Sequence, residues 1–102
     1  MKNRFIVGVA GMTKEEEKEF ISFIQDKRLG WWHWVGNFWL LVDSSEQIKA
    51  ADIRGALLRA APGKRSIVLQ VEVEDESSWA GFGPTGEKNN MFNWIRRTWS
   101  QD

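Results

Sequence analysis

The sequence predicts a single α+β domain over residues 1–102, with two helices on one face of a four-stranded antiparallel sheet. Short β-rich runs alternate with two stretches of helical periodicity. A chain of 102 residues is long enough for one hydrophobic core, and 42% hydrophobic with 27% charged residues is ordinary for a globular protein. Residues 79–102 are predicted to be a Gly/Pro-rich loop and a helical tail.

The first strand and helix are marked by an apolar run and a capping box. Residues 5–10 read Phe-Ile-Val-Gly-Val-Ala, a continuous apolar run typical of a strand buried on both faces. Thr13 and Glu16 have the spacing of a capping box, which predicts a helix start. The helical pattern ends at Leu29, so Gly30 is predicted to be its C-terminal cap.

A tryptophan-rich hairpin follows, with the sequence GWWHWVGNFWLLVDSS over residues 30–45. Four of the seven tryptophans lie within nine residues of it. Gly36 and Asn37 separate two β-rich halves, which predicts strands over residues 31–35 and 38–42. Because large apolar side chains fall on both faces, both must be covered. We expect the helices on one face and a second copy or a ligand on the other.

The second half of the chain repeats the helix-strand order. Ser44 and Gln47 are spaced as a second capping box, and an apolar stripe runs to the stop at residues 62–63. Residues 66–74 alternate apolar and polar side chains, which predicts a half-exposed strand near an edge. The order of elements, βαββαβ, is that of a ferredoxin-like fold. A short third helix is predicted over residues 90–99, with its aromatic side chains packed on the domain.

Charge and cysteine content restrict the function. Lys plus Arg equals Asp plus Glu at 14 each, so the chain lacks the basic excess of proteins that bind long duplex nucleic acid, and a small nucleotide is the better nucleic-acid ligand. The absence of cysteine excludes disulfides, thiol catalysis and thiolate metal sites. We expect a cytoplasmic protein that does not associate with membranes.

The tryptophans are the strongest candidates for a binding site. An indole ring buries much area, and its flat face can also stack on a nucleobase. Packing in the core or in a dimer could account for most of them, but Trp79 stands in a glycine-rich loop. We predict a ligand site with contributions from one of two arginines, Arg54 or Arg97. Its other members are Trp31, Trp32, His33, Trp34 and Trp79.

No catalytic residue, metal or cofactor is predicted. His33 is the only histidine, and no nucleophile, Walker loop or metal-ligand spacing accompanies it. The acidic residues from Glu72 to Glu76 could hold a divalent cation, but a solvated strand end explains them better.

The aromatic hairpin, the strand IVLQVEV, the segment SSWAGFG and the terminal NWIRRTW resemble the SinR-like small ferredoxin-fold proteins. These are relatives of the CRISPR-associated integration subunit and of VapD-type ribonucleases. The resemblance implies a homodimer, and in some members a nuclease that uses an acidic residue at the end of the first strand. Residues 5–11 contain no Asp or Glu, so this implied activity lacks its key residue.

These observations predict a non-enzymatic homodimeric protein that binds a small nucleotide by aromatic stacking, such as a phage-type anti-defence protein that sequesters a nucleotide. The alternatives are a protein-interaction module that inhibits or bridges a partner, and a ribonuclease-like enzyme. Dimerisation is expected through the sheet face opposite the helices, since helices cover only one face.

Overall fold

The computed structural model describes residues 2–72 and 79–101, which form one four-stranded antiparallel sheet, two α-helices and a C-terminal π-helical turn. In chain order these are β1 (Asn3–Val9), α1 (Lys14–Asp26), β2 (Gly30–Val35), β3 (Phe38–Asp43), α2 (Ala50–Ala60), β4 (Ser66–Val71) and the π-helical turn (Ile95–Trp99). The strands lie in the order β2-β3-β1-β4. The predicted α+β, ferredoxin-like arrangement is confirmed. None of the described helices is both long and apolar enough to cross a bilayer.

Both helices pack on the same face of the sheet. Alternate residues of β1 and β3 point toward them, as the pleat requires. Trp39, at the centre of this layer, is fully buried and meets Phe20 of α1 edge to face at 5.1 Å. The buried residues of this helix-side core include Phe5, Val7, Phe20, Ile24, Trp39, Leu41, Ile53 and Leu57.

The start of α1 confirms the predicted capping box, but its end differs. The Thr13 hydroxyl accepts from the Glu16 amide at 3.1 Å, and the Glu16 carboxylate accepts from the Thr13 amide at 2.8 Å. The helix ends at Asp26 with Lys27 as its C-terminal cap, so the predicted cap at Gly30 is wrong, and Arg28, at φ 56°, takes the left-handed conformation. Gly30 instead begins β2, where a Cβ atom would lie 3.4 Å from the Trp94 ring.

The predicted capping box of α2 at Ser44 and Gln47 is wrong, because α2 begins at Ala50. An aspartate turn occupies the intervening residues. The Asp43 carboxylate accepts from the Ser45 hydroxyl at 2.6 Å and from the Ile48 amide at 2.7 Å. Burial raises the pKa of Asp43, but hydrogen bonds from Ser45, Ile48 and Gln47 outweigh burial and hold that pKa below its ordinary value of 3.8.

The predicted edge strand is confirmed, but two of its apolar side chains point away from the helices. β4 spans Ser66–Val71, and residues 73–74 of the predicted strand lie outside the described part of the chain. Val68 packs against the helix-side core. Ile67 and Leu69 face the other way and are 61% and 48% exposed.

The C-terminal segment covers the sheet face opposite the helices. The predicted third helix is present as a shorter helical piece that includes the π-helical turn, and its aromatic residues pack on the sheet as expected. The premise of the dimer prediction, that this face lacks a cover within the chain, is therefore wrong. The second core contains Trp32, Leu40, Val42, Met91, Phe92, Ile95 and Trp99.

Candidate binding cleft

The candidate site lies between the sheet and the C-terminal segment that covers it. The tail-side residues of β1 to β3 form its floor, and residues 79–81 and 91–99 form its walls. The space between them is a cleft of about 250 Å³. Its lining is almost entirely apolar and aromatic: Ile6, Trp32, Phe38, Leu40, Trp79, Ala80, Gly81, Met91, Phe92, Ile95 and Trp99.

Two cations at the start of the chain hold the C-terminal wall in place. Arg4 is 3% exposed, and its guanidinium donates to the carbonyl oxygens of Trp99 at 2.5 Å and Gln101 at 3.0 Å. The Lys2 ammonium donates to the Thr98 carbonyl at 3.1 Å. The last carbonyls of a helix have no partners within it, so these contacts satisfy them and match the negative end of its dipole.

Trp32 joins the floor of the cleft to its wall. Its indole N–H donates to the carbonyl oxygen of Met91 at 2.7 Å, and its ring meets Phe38 edge to face at 6.2 Å. Only 5% of Trp32 is exposed. Of the hairpin tryptophans in the predicted site, Trp32 is therefore the one that reaches the cleft.

Trp79 and Phe92 form the opposite wall, and Arg96 lies beside their rings. The two rings stack with centroids 5.9 Å apart, and the Trp79 N–H donates to the Ser100 hydroxyl at 3.2 Å. The Arg96 guanidinium carbon lies 5.8 Å from the Trp79 ring centroid and 5.9 Å from that of Phe92. Arg96 as a whole is exposed, so a cation stands at the aromatic wall while remaining accessible to solvent.

His33 lies on the helix side of the sheet, away from the cleft. Its ring stacks on Trp39 at 3.6 Å with an angle of 3°. Nδ1 is 2.9 Å from the Phe38 carbonyl oxygen, and Nε2 is 2.8 Å from a carboxylate oxygen of Glu17. Both ring nitrogens lie within hydrogen-bond distance of acceptor oxygens. His33 therefore ties α1 to the hairpin.

The other two hairpin tryptophans are partly exposed on the edge strand β2. Trp31 is 37% exposed and its ring lies 5.8 Å from that of Trp39, on the helix side. Trp34 is 43% exposed and lies where the pairing of β2 with β3 shifts register. The five predicted aromatic members thus fall into two groups, with Trp32 and Trp79 at the cleft and the other three outside it.

Neither of the two predicted arginines lines the cleft. Arg54 lies on α2 and shares a groove with Ser66 and Val68 of β4, at the sheet edge opposite β2. Arg97 is exposed, and the arginine that the structure brings to Trp79 is its neighbour, Arg96.

The site predicted from the sequence leaves out Phe92, which lines the wall, Arg4, which holds it, and Arg96, which lies beside it. Arg4 lies directly before an apolar run. A cation at that position is as compatible with a buried hydrogen-bond partner as with an exposed strand end. Arg96 and Arg97 are adjacent, so composition cannot separate them. Only the turn of the helix that follows Phe92 decides which one faces Trp79.

Among residues 2–72 and 79–101, no group of three or more His, Asp or Glu side chains is placed to hold a metal ion. Of the acidic run considered as a cation site, Glu72 is exposed and Glu74 to Glu76 fall outside the described residues. The carboxylate of Asp43 is engaged in the turn before α2.

Comparison with known proteins adds no relative to this picture. No protein-family model matches the chain, and no curated protein or solved structure is significantly similar to it.

Proposed function

We propose that the chain is a non-enzymatic homodimeric binding protein whose cleft accepts the ring of a small nucleotide. The observation that supports this most directly is the aromatic cleft, with the exposed Arg96 beside the Trp79 and Phe92 rings of its wall. Sequestration of a nucleotide needs binding without chemistry, and the described residues that line the cleft include no ionisable side chain to act as an acid or base.

The size of the cleft favours a single ring system. About 250 Å³ is less than the roughly 300–1,000 Å³ of sites for drug-sized ligands. A nucleobase could enter against Trp32 and Phe38, with its sugar and phosphate outside. Stacking on an aromatic side chain contributes about 1–3 kcal/mol per base. Charge-assisted hydrogen bonds from Arg96 to a phosphate would add affinity and favour nucleotides over nucleosides.

The exposed tryptophans of β2 are less suited to a phosphate. His33 there is already paired with Glu17, and α1 carries three acidic residues in its first turn. Negative charge at Glu17, whose carboxylate is 2.8 Å from His33, would oppose an anionic ligand on that side of β2. The cleft is therefore our preferred nucleotide site, with Trp32, Trp79 and Arg96 as the residues that contact the ligand.

Calorimetric titration with mono-, di- and cyclic nucleotides tests the proposal, with tryptophan emission as a second readout. We expect Arg96→Met to weaken nucleotide binding roughly tenfold and nucleoside binding little, since a charge-assisted hydrogen bond contributes about 1.5–3 kcal/mol. Arg97→Met is the matched control, because it removes the same charge one residue away. Absence of binding by any nucleotide, or equal losses in the two variants, would refute the site.

A protein-interaction module is the second candidate, and Phe82 favours it. This side chain is 98% exposed in the loop after Gly81, beside the cleft. Exposed aromatic residues are typical anchors at protein interfaces. If no nucleotide binds, and Phe82→Ser abolishes capture of a purified partner while leaving the fold intact, this function replaces the first.

A further inference from the structure

The outer edge of β4 has features that favour pairing with another strand. Its described residues pair with β1 on one side only, over six residue pairs in unbroken register. The strand Ser66–Val71 contains no proline, charge or bulge, which are the usual devices that protect an edge. The other edge strand, β2, shifts register between Trp32 and Val35, and such an irregularity disrupts further pairing.

The pairing of β4 with β1 decides which peptide groups point outward. The Ala10 amide donates to the Arg65 carbonyl oxygen at 2.9 Å, so this is a hydrogen-bonded pair, and such pairs alternate along antiparallel strands. Peptide groups directed toward β1 therefore belong to Ile67, Leu69 and Val71. Those directed outward belong to Ser66, Val68 and Gln70.

The exposed side chains of β4 are apolar on one face. Ile67 and Leu69 lie on the sheet face opposite the helices, beyond the C-terminal segment, and both are about half exposed. An edge that presents open peptide groups together with apolar side chains is exposed to aggregation unless it has a specific partner.

We propose that β4 pairs antiparallel with β4 of a second copy, about a two-fold axis that passes beside Val68. Such an axis, perpendicular to the sheet, joins the two four-stranded sheets into one and keeps all helices on the same side. Residues on the same face must then lie opposite each other. Val68 faces Val68, Ser66 faces Gln70, and Ile67 faces Leu69.

This register makes the strand complementary to itself, which is why a second copy is the occupant. Outward peptide groups meet outward peptide groups at Val68 and at the Ser66–Gln70 pairs, while apolar Ile67 meets apolar Leu69. The ends also match, because basic Lys64 and Arg65 precede the strand and acidic Glu72 follows it. Antiparallel pairing brings each basic end to an acidic end, whereas parallel pairing would bring like charges together.

This inference rests on the homodimer of the proposed function, but it concerns a different surface from the cleft. Two double variants at exposed positions test the register by sedimentation velocity over a micromolar concentration series. Ile67→Lys with Leu69→Glu places Lys opposite Glu twice, so the dimer should persist. Ile67→Glu with Leu69→Glu places Glu opposite Glu twice and should weaken the dimer roughly tenfold or more. Circular dichroism verifies that both variants fold.

Val35→Glu adds a charge to the other edge of the sheet and should leave the dimer unchanged. A monomeric wild type, a dimer lost in the Lys/Glu variant, or a dimer lost in Val35→Glu would each overturn the proposal, the last by assigning the interface to β2. Nucleotide titration of the same samples separates the two hypotheses. If the Glu/Glu variant is monomeric and still binds nucleotide normally, the nucleotide site does not depend on the dimer. If the dimer is intact but no nucleotide binds, only the proposed nucleotide site is refuted.

Discussion

Replacement of Arg4 by methionine should release the C-terminal segment from the sheet. Methionine keeps an unbranched apolar side chain of similar reach but cannot donate to the Trp99 and Gln101 carbonyl oxygens. The Gln101 residue is exposed, so its carbonyl can bind water instead. The hydrogen bond to Trp99 is buried, and its carbonyl would lose its partner.

The loss of that buried hydrogen bond sets the scale of the expected destabilisation. Leaving a buried acceptor unsatisfied costs about 1–3 kcal/mol, and loss of the exposed contact adds little. Removal of a buried charge offsets part of the cost, because the guanidinium no longer has to be desolvated. We therefore expect a net loss of about 2 kcal/mol in the free energy of unfolding, or roughly 10 °C in Tm for a domain of this size.

Urea denaturation and amide hydrogen exchange measure the effect. Exchange protection should fall most over residues 91–99 and least in β1 and β3, because the loss acts on docking of the tail. Arg97→Met is the matched control, since it removes an exposed arginine from the same segment, and it should change stability by less than about 0.5 kcal/mol. If Arg4→Met is as stable as wild type with normal protection of the tail, the anchoring role of Arg4 is wrong.

Three further changes test the cover and the turn before α2. Trp32→Phe should cost about 1–2 kcal/mol in urea denaturation, because the Met91 carbonyl loses its buried donor, whereas exposed Trp31→Phe should cost less. Gly83→Ala should destabilise the loop in proteolysis assays, since a Cβ there would overlap the Met91 sulfur. The lowered pKa of Asp43 adds stability above its unfolded pKa near 3.8, and this is lost as pH falls through the folded value, so Asp43→Asn should flatten the acid side of the stability profile.

Most of the fold follows from local patterns that tertiary contacts leave unchanged. The capping box at Thr13 and the hairpin turn at Gly36 depend on neighbours in sequence, so the sequence predicts them well. The start of α2 does not, because Asp43 accepts from the amides of Ser45 and Ile48, the residues that directly follow Ser44 and Gln47. A serine and a glutamine at the right spacing cannot reveal that an upstream carboxylate organises the backbone of the same segment into a turn.

The sequence identified only some of the cleft residues, for a different reason. Trp32 and Trp79 stand 47 positions apart, and only the path of the C-terminal segment brings them to one cleft. The alternation of β2 correctly separates Trp32 from Trp31 and His33, but it does not say which face of the sheet is covered by the chain and which faces solvent. A tail of about 20 residues can cover a sheet face as well as a second copy can, and composition does not distinguish them.

Docking of the tail and binding of a ligand must be coupled, because the tail supplies one wall of the cleft. A nucleotide that contacts both Phe38 of the sheet and Phe92 of the tail binds only the docked state, so it stabilises that state by mass action. At a concentration of 100 times Kd this contribution is about 2.7 kcal/mol, which exceeds the loss of about 2 kcal/mol expected for Arg4→Met. Saturating nucleotide should therefore return the tail protection of Arg4→Met to that of the ligand-free wild type. A nucleotide that binds wild type but leaves the exchange of residues 91–99 unchanged would have to occupy another site, and the cleft would lose its role.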